Sequence, residues 1–576
     1  MYKQTSNMIK VAKGDVPADL VLRNARIVNV FTGEVVDGDI AIAGGFIAGV
    51  GKGYSGVQEV DLGGYVAAPG LIDAHVHIES SMLSPLQFSR AISAHGVTTV
   101  VADPHELANV MGLEGINYII SSIRRGSPVD IFIMLPTCVP ATRFETSGAE
   151  LNAATYREII NEPEILGLGE MMNYPGVVAT DDEILSMIEL AAPRGFMIDG
   201  HAPHLTGKDL TAYIAAGIRT DHECETVEEL RERVSQGMYV LLREGSAAKN
   251  VASLVKGVTD ANIHRLMFCT DDRHPEDILH NGSIDNNIRV AAANGLSPVT
   301  AITMATLCPA QAYDLKWRGA VAPGYIADIA VFDNLQDLNV VQTYKNGVLT
   351  ARGGECLRDF YEKPNTPGNS VHLAPISAED IALPPSYATG QAVSVIGVKP
   401  DSILTRHVRV PAGQLQVEDG MVTHPADVLK LVVVERHYAS GNVGVGLAAG
   451  FGIKGGAIAS TVAHDSHNII CVGDNDADIL AAIAELERVH GGVTVVRNGK
   501  AVHTLALPVA GLMSPQTLES VAADMQRLKE IAREMGAAAG QNPFMALSFL
   551  ALPVIPELRL TDRGLFDVQR FAFAEL

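Results

Sequence analysis

The chain has 576 residues, 47% hydrophobic and 19% charged, with 54 Gly and 28 Pro; that length exceeds a single core and predicts two or three domains, and the composition excludes a disordered or fibrous chain. A net charge of −23 repels nucleic-acid phosphate and counts against a DNA or RNA partner. Six cysteines lie far apart with no CxxC pair, which argues against a disulfide framework and against a thiolate zinc site.

The first residues, MYKQTSNMIKVAKGD, are polar and lack the apolar core of a signal peptide. Residues 19–67 then read as short strands, DLVLRNARIVNVF, DIAIAGGFIAGVG and VQEVDLGGYVAA. Gly and Asp punctuate them in the manner of a small antiparallel sheet.

Between residues 68 and 317 the pattern changes. After LIDAHVH, apolar β-branched runs end in polar residues and lead into helical stretches: VTTVVADPHE, DIFIMLPTCV, ILGLGEMMN, FMIDGHAPH, GIRTDHE, MYVLLREGS and LMFCTDDRH. Two helices carry the S/T-x-x-E signature of a capping box: Thr180 with Glu183, stopping at Gly195, and Thr226 with Glu229, stopping at Gly237. Wholly apolar strands alternating with helices predict a parallel sheet covered on both faces. Eight such units need roughly 250 residues, and this segment has 250, so a (β/α)8 barrel fits; a doubly wound sheet gives a similar pattern.

β-rich sequence returns at Ile326–Gly353 with an Asn346-Gly347 hairpin turn. The organisation predicted is a composite sheet domain from 1–67 and 318–360, a barrel at 68–317, and an α/β domain at 361–576 joined through the Pro-rich stretch Lys363–Pro384. In that last region LKLVVVERH and GGVTVVRNG read as strands, while DADILAAIAELERVHGG and PQTLESVAADMQRLKEIAREMG read as helices. Gly441–Gly456 lacks the Lys-Ser/Thr ending of a P-loop and is not read as a nucleotide site. The longest apolar stretches, such as Ala546–Ile555 with its interruptions at Ser548 and Pro553, are far shorter than the roughly 20 residues of a membrane span. A soluble, cytoplasmic protein without membrane partners is expected.

The chemical signal begins at PGLIDAHVHIES. Residues two apart on a strand share a face, so His75 and His77 can bind one ion; alone, such a pair is more often two satisfied core histidines. Four later runs end in a nitrogen or oxygen ligand: Glu170, His201, His222 and Asp271. Glu170 lies 93 residues beyond His77, His201 another 31, His222 another 21 and Asp271 another 49. At roughly 31 residues per unit, these residues fall at the C-terminal ends of strands 1, 4, 5, 6 and 8, which converge in a barrel. Six ligands suit two ions sharing a carboxylate, and imidazole with carboxylate suits Zn, Mn or Fe. Two cations lower the pKa of a water between them, the basis of hydrolytic chemistry.

The motifs PGLIDAHVHIESSMLSP, GVTTVVADPHELANVMG, GLGEMMNYPGV, DGHAPHLTG, TDHE, LLREGSAAKN, FCTDDRHPEDI and GFGIKGGAIASTVAHDSHNIICVG resemble the bacterial adenine deaminases of the amidohydrolase superfamily. The resemblance covers essentially the whole chain. It implies a split sheet domain, a TIM-type barrel and a C-terminal domain. It also implies that His75 and His77 hold one metal and His201 and His222 the other, with Glu170 bridging where many relatives use a carboxylated lysine. Asp271 would bind metal and take the proton from water attacking C6 of adenine, giving hypoxanthine and ammonia in purine salvage. Mn or Fe would be the native metal rather than Zn, and a homo-oligomer, first a dimer, is expected. For the general acid that serves a ring nitrogen, Glu79 comes first, on the view that it shares the strand face of both histidines. His105 is the next catalytic candidate. Glu106, Arg243, Glu244, His464, Asp465 and His467 are candidate substrate contacts. The loop His464-Asp465-Ser466-His467-Asn468 contacts the purine, binds an extra ion, or is a polar turn. His204 and His274 are expected outside the ligand set. Two rival readings are a cyclic-amide hydrolase of the same superfamily and a noncatalytic scaffold, which would have lost ligands.

Overall fold

The computed structural model describes residues 2–358, 367–383, 387, 392–399, 402–418, 421–423, 427–538 and 542–574. Of the Pro-rich stretch 363–384, residues 363–366 and 384 lie outside the described residues.

The eight apolar runs all form strands: Leu71–His77 (β1), Val97–Ala102 (β2), Asp130–Leu135 (β3), Ile165–Met171 (β4), Met197–Gly200 (β5), Thr220–Asp221 (β6), Tyr239–Arg243 (β7) and Leu266–Cys269 (β8). Parallel pairing runs from β1 through β5 and separately from β6 through β8. Two seams close the ring. Asp271–Asp272, continuing β8, pairs in parallel with β1, and the Arg219 N–H donates to the Ile198 carbonyl at 3.0 Å. The doubly wound alternative is thereby removed: this is a barrel. Helices cover the outer face, so every residue of β1 and β2 is buried, the polar Asp73, His75 and His77 of β1 included.

Of the two capping boxes, the one at Thr226 forms as predicted, the Thr226 hydroxyl oxygen accepting the Glu229 N–H and the Glu229 carboxylate returning the bond, with the helix running Val227–Ser235. The other does not form. Asp181 caps the helix Asp182–Ala191, accepting the N–H groups of Glu183 and Ile184, while Thr180 sits at φ 59° and bonds the Ala179 carbonyl. A carboxylate one residue nearer the helix competes better for the free N–H groups at its positive end.

A nine-stranded sheet gathers strands from both sides of the barrel in sequence. Its junction is the antiparallel pairing of Val66–Pro69 with Ile329–Phe332. Asn346 and Gly347 take φ of 51° and 74° and turn the chain between Val340–Lys345 and Val348–Arg352, as a two-residue hairpin of this kind requires. The C-terminal region builds an eight-stranded sheet, antiparallel except where Ala392–Val398 meets Val443–Ala449, with helices Asp476–Arg488 and Leu518–Glu534 packed on it.

That region lies against the barrel face where the strands end. The Ser84 N–H donates to the Ser514 carbonyl and the Ser514 N–H to the Met82 carbonyl, both at 2.8 Å. Asp562 accepts the Thr146 N–H and hydroxyl at 2.9 and 2.6 Å. Ile78 and Leu107 of the barrel share one hydrophobic cluster with Val462 and Leu512. Among the described residues no helix is long and apolar enough to cross a membrane.

Candidate metal centre

β1 ends at His77, and both histidines of the HxH pair turn their Nε2 atoms to the same point, 3.2 Å apart. The His77 Nδ1–H donates to the Asp103 carbonyl at 2.8 Å, which leaves a lone pair on Nε2. That lone pair faces Asp271 Oδ1 at 3.1 Å and Glu170 Oε1 at 3.3 Å, with Asp271 Oδ1 also 3.4 Å from His75 Nε2. With the His77 ring neutral, its lone pair and the two carboxylate oxygens converge in a buried space beside His75 Nε2. A divalent cation suits that donor set.

Glu170 presents its second oxygen to a second set. Oε2 lies 2.7 Å from His201 Nδ1 and 3.3 Å from His222 Nε2, and those two nitrogens are 3.3 Å apart. One carboxylate thus faces two nitrogen pairs, a set of ligands that fits two divalent ions sharing a bridge. Burial works against both carboxylates. Arg243 overcomes it at Asp271 and the His201 imidazole overcomes it at Glu170, so both stay well below the usual carboxylate range. His201 has the most exposed of these side chains, at 28%, and marks the open edge of the cluster.

Two residues not anticipated from sequence hold this set in place. Asp103 directly follows β2; its carbonyl fixes the tautomer of His77 and its Oδ2 accepts the Glu170 N–H at 2.8 Å. Glu223 lies 3.3 Å from His222 Nε2 and 3.5 Å from His201 Nδ1. Arg243 joins it to Asp271, donating from Nη1 to Glu223 Oε1 and Asp271 Oδ2 at 2.6 Å each. The sequence did carry hints: Asp103 is a polar residue ending an apolar run, and Glu223 directly follows His222.

Gly169 makes the approach of Asp103 possible, since a Cβ there would lie 2.1 Å from Asp103 Oδ2. Gly169→Ala is therefore expected to push Asp103 away from Glu170, costing about 1–3 kcal/mol of stability and weakening metal retention. Thermal unfolding and bound-metal analysis of the variant check this together.

Over the whole length of this chain, known proteins agree with what the site suggests. The amidohydrolase family model matches residues 66–350, and the model described as the adenine deaminase C-terminal domain matches residues 402–572. An adenine deaminase of Nitratidesulfovibrio vulgaris is 49% identical over 575 residues, covering 99% of this chain and 98% of that protein. Adenine deaminase 2 of Carboxydothermus hydrogenoformans is 48% identical over 573 residues, covering 99% of each. The chain belongs to the adenine deaminase family. A Clostridium acetobutylicum member is 46% identical, covering 98% of this chain and 99% of its own.

The remaining candidates divide in this member of the adenine deaminase family. Glu79 is not on the face of β1: the strand stops at His77 and Glu79 sits in the 3-10 turn Ile78–Ser81. Its Oε1 accepts the Leu107 N–H at 3.0 Å, and Oε2 is buried without a partner. Burial, reinforced by Glu106, lifts its carboxyl to about 7. His105 packs on His77 with ring centroids 4.4 Å apart, its Nδ1 3.3 Å from Glu170 Oε1. Glu106 opens the helix His105–Ile123 and meets the loop from the C-terminal region, its Oε1 2.8 Å from His464 Nδ1. Arg243 is engaged by two carboxylates rather than free for a substrate. Glu244 stands apart, its carboxyl set by burial and by Lys249 and Arg273. His204, with a 74% exposed side chain, faces Glu229, and His274 sits beside Glu276 and Lys529.

Proposed function

We propose that this chain hydrolyses adenine at C6, releasing hypoxanthine and ammonia, at the centre formed by His75, His77, Glu170, His201, His222 and Asp271. The observation that carries the reading is Glu170 turning one oxygen to each pair of histidines, within a chain of the adenine deaminase family. His75, His77 and Asp271 would hold one divalent ion and His201 and His222 the other, Mn or Fe by preference, with Glu170 between them. When bound, the ions supply Lewis acidity that makes hydroxide available near neutral pH.

The chain's own groups then divide the proton work. Asp271 Oδ1, facing the histidines, accepts the proton of the water that attacks C6 and delivers it to the departing amine. Arg243 holds the other oxygen, so the carboxylate cannot rotate away. Glu79 Oε2, buried and unpartnered, protonates the ring nitrogen beside C6 as charge develops there. The C-terminal loop across the barrel face excludes bulk water. The cysteines among the described residues are free thiols, five of them buried, which suits a reducing compartment and the cytoplasm as the setting.

A substrate comparison tests the reading. Apo-protein reconstituted separately with Mn, Fe and Zn should convert adenine to hypoxanthine, followed by the change in purine absorbance. Metal-loaded protein that leaves adenine unchanged yet opens dihydroorotate or a hydantoin would instead make it a cyclic-amide hydrolase.

A further inference from the structure

Beside the metal centre the chain buries a second polar cluster that the reaction above does not use. Glu106, His464 and His467 meet there with exposures of 1%, 8% and 0%. The first comes from the barrel and the other two from the C-terminal loop. His464 Nδ1 lies 2.8 Å from Glu106 Oε1, and its ring stacks on Phe549 at 4.4 Å and 12°. Glu106 Oε2 and His467 Nε2 stand 3.8 Å apart, too far for a hydrogen bond, and neither has another partner.

Two histidines and a carboxylate suggest a third cation, but the backbone argues otherwise. The Ala463 N–H donates to His467 Nδ1 at 3.1 Å, so that nitrogen carries a lone pair and the neutral ring keeps its proton on Nε2. A protonated ring nitrogen cannot ligate a metal. His77 shows the opposite arrangement, with Nδ1–H given to a carbonyl and Nε2 left free. The cluster therefore offers one donor and one acceptor, adjacent, buried and unmatched, a state that costs free energy until a ligand supplies the complementary groups.

We infer that Glu106 and His467 read the edge of the purine opposite C6: Glu106 Oε2 accepts the N9–H and the His467 Nε2–H donates to N3. The inference rests on adenine being the substrate. C6 and N3 lie across the six-membered ring from each other, so a base with C6 at the metal ligands turns its N3/N9 edge away from them. Glu106 is the residue after His105, whose Nδ1 is 3.3 Å from Glu170 Oε1, which puts this pair next to the centre. Only the free base matches it. A nucleoside or 9-alkyl purine has carbon on N9 and leaves a buried carboxylate oxygen unpaired.

The test compares adenine, 9-methyladenine and 3-deazaadenine on the metal-loaded enzyme, Glu106→Gln and His467→Asn. Asn at 467 keeps an acceptor for the Ala463 N–H while deleting the Nε2–H. The wild type should prefer adenine over 9-methyladenine by about 10^4-fold or more in kcat/KM, the scale for a site built to bond a group its competitor lacks. In E106Q that ratio should collapse towards unity while the adenine/3-deazaadenine ratio holds. In H467N the pattern should reverse. Three results overturn the inference: equal wild-type kcat/KM for adenine and 9-methyladenine, variants that lower all three substrates in proportion, or metal analysis in which either variant drops from three ions per chain to two. No adenine turnover by the wild type would instead overturn the deaminase reading itself.

Discussion

Asp271→Asn should lower kcat for adenine by about a thousandfold, the middle of the range for loss of a positioned proton acceptor, at saturating metal. The two oxygens of Asp271 have separate duties. Oδ1 faces His75 and His77 at 3.4 and 3.1 Å, and Oδ2 is held by Arg243 at 2.6 Å. Asparagine keeps the shape but cannot take a proton from water, and its amide N–H2 opposes either Arg243 or a bound cation. The assay is steady-state adenine turnover alongside elemental analysis of the same sample. A variant with two ions per chain and more than a tenth of wild-type kcat would show that another group takes the proton.

A larger loss is expected from Glu170→Gln, on the order of 10^4-fold in kcat/KM, equivalent to several kcal/mol of metal-assisted stabilisation. An amide has one oxygen where the carboxylate has two, so one nitrogen pair loses its facing anion. The Glu170 backbone is also held, its N–H by Asp103 at 2.8 Å and its carbonyl by the Thr137 hydroxyl at 2.6 Å, so the main chain cannot shift to compensate. Bound metal should fall below two ions per chain at concentrations that saturate the wild type. Full metal content in this variant would mean that Glu170 does not bridge.

Much of this site was legible because the barrel repeats. Once His75 and His77 mark strand 1, the spacing to Glu170, His201, His222 and Asp271 counts out the remaining strand ends, and the structure brings all six to one cluster. What stayed hidden depends on where strands stop and on what lies across the barrel face. Glu79 looked strand-borne because HVHIE alternates, yet the chain leaves β1 at His77 and turns. Thr180 matched a capping signature, but Asp181 sat one residue closer to the helix. The Arg243 link between Glu223 and Asp271, and the meeting of Glu106 with His464 and His467, join residues that only tertiary packing makes neighbours.

A two-ion deaminase centre has a direct signature in a metal titration of the apo-protein. Manganese is added stepwise while bound metal and the conversion of adenine to hypoxanthine are read on the same samples. Activity should rise to a plateau at two bound ions per chain and return to baseline on chelation. Full activity at one ion per chain, or adenine turnover by protein shown to hold none, would contradict it.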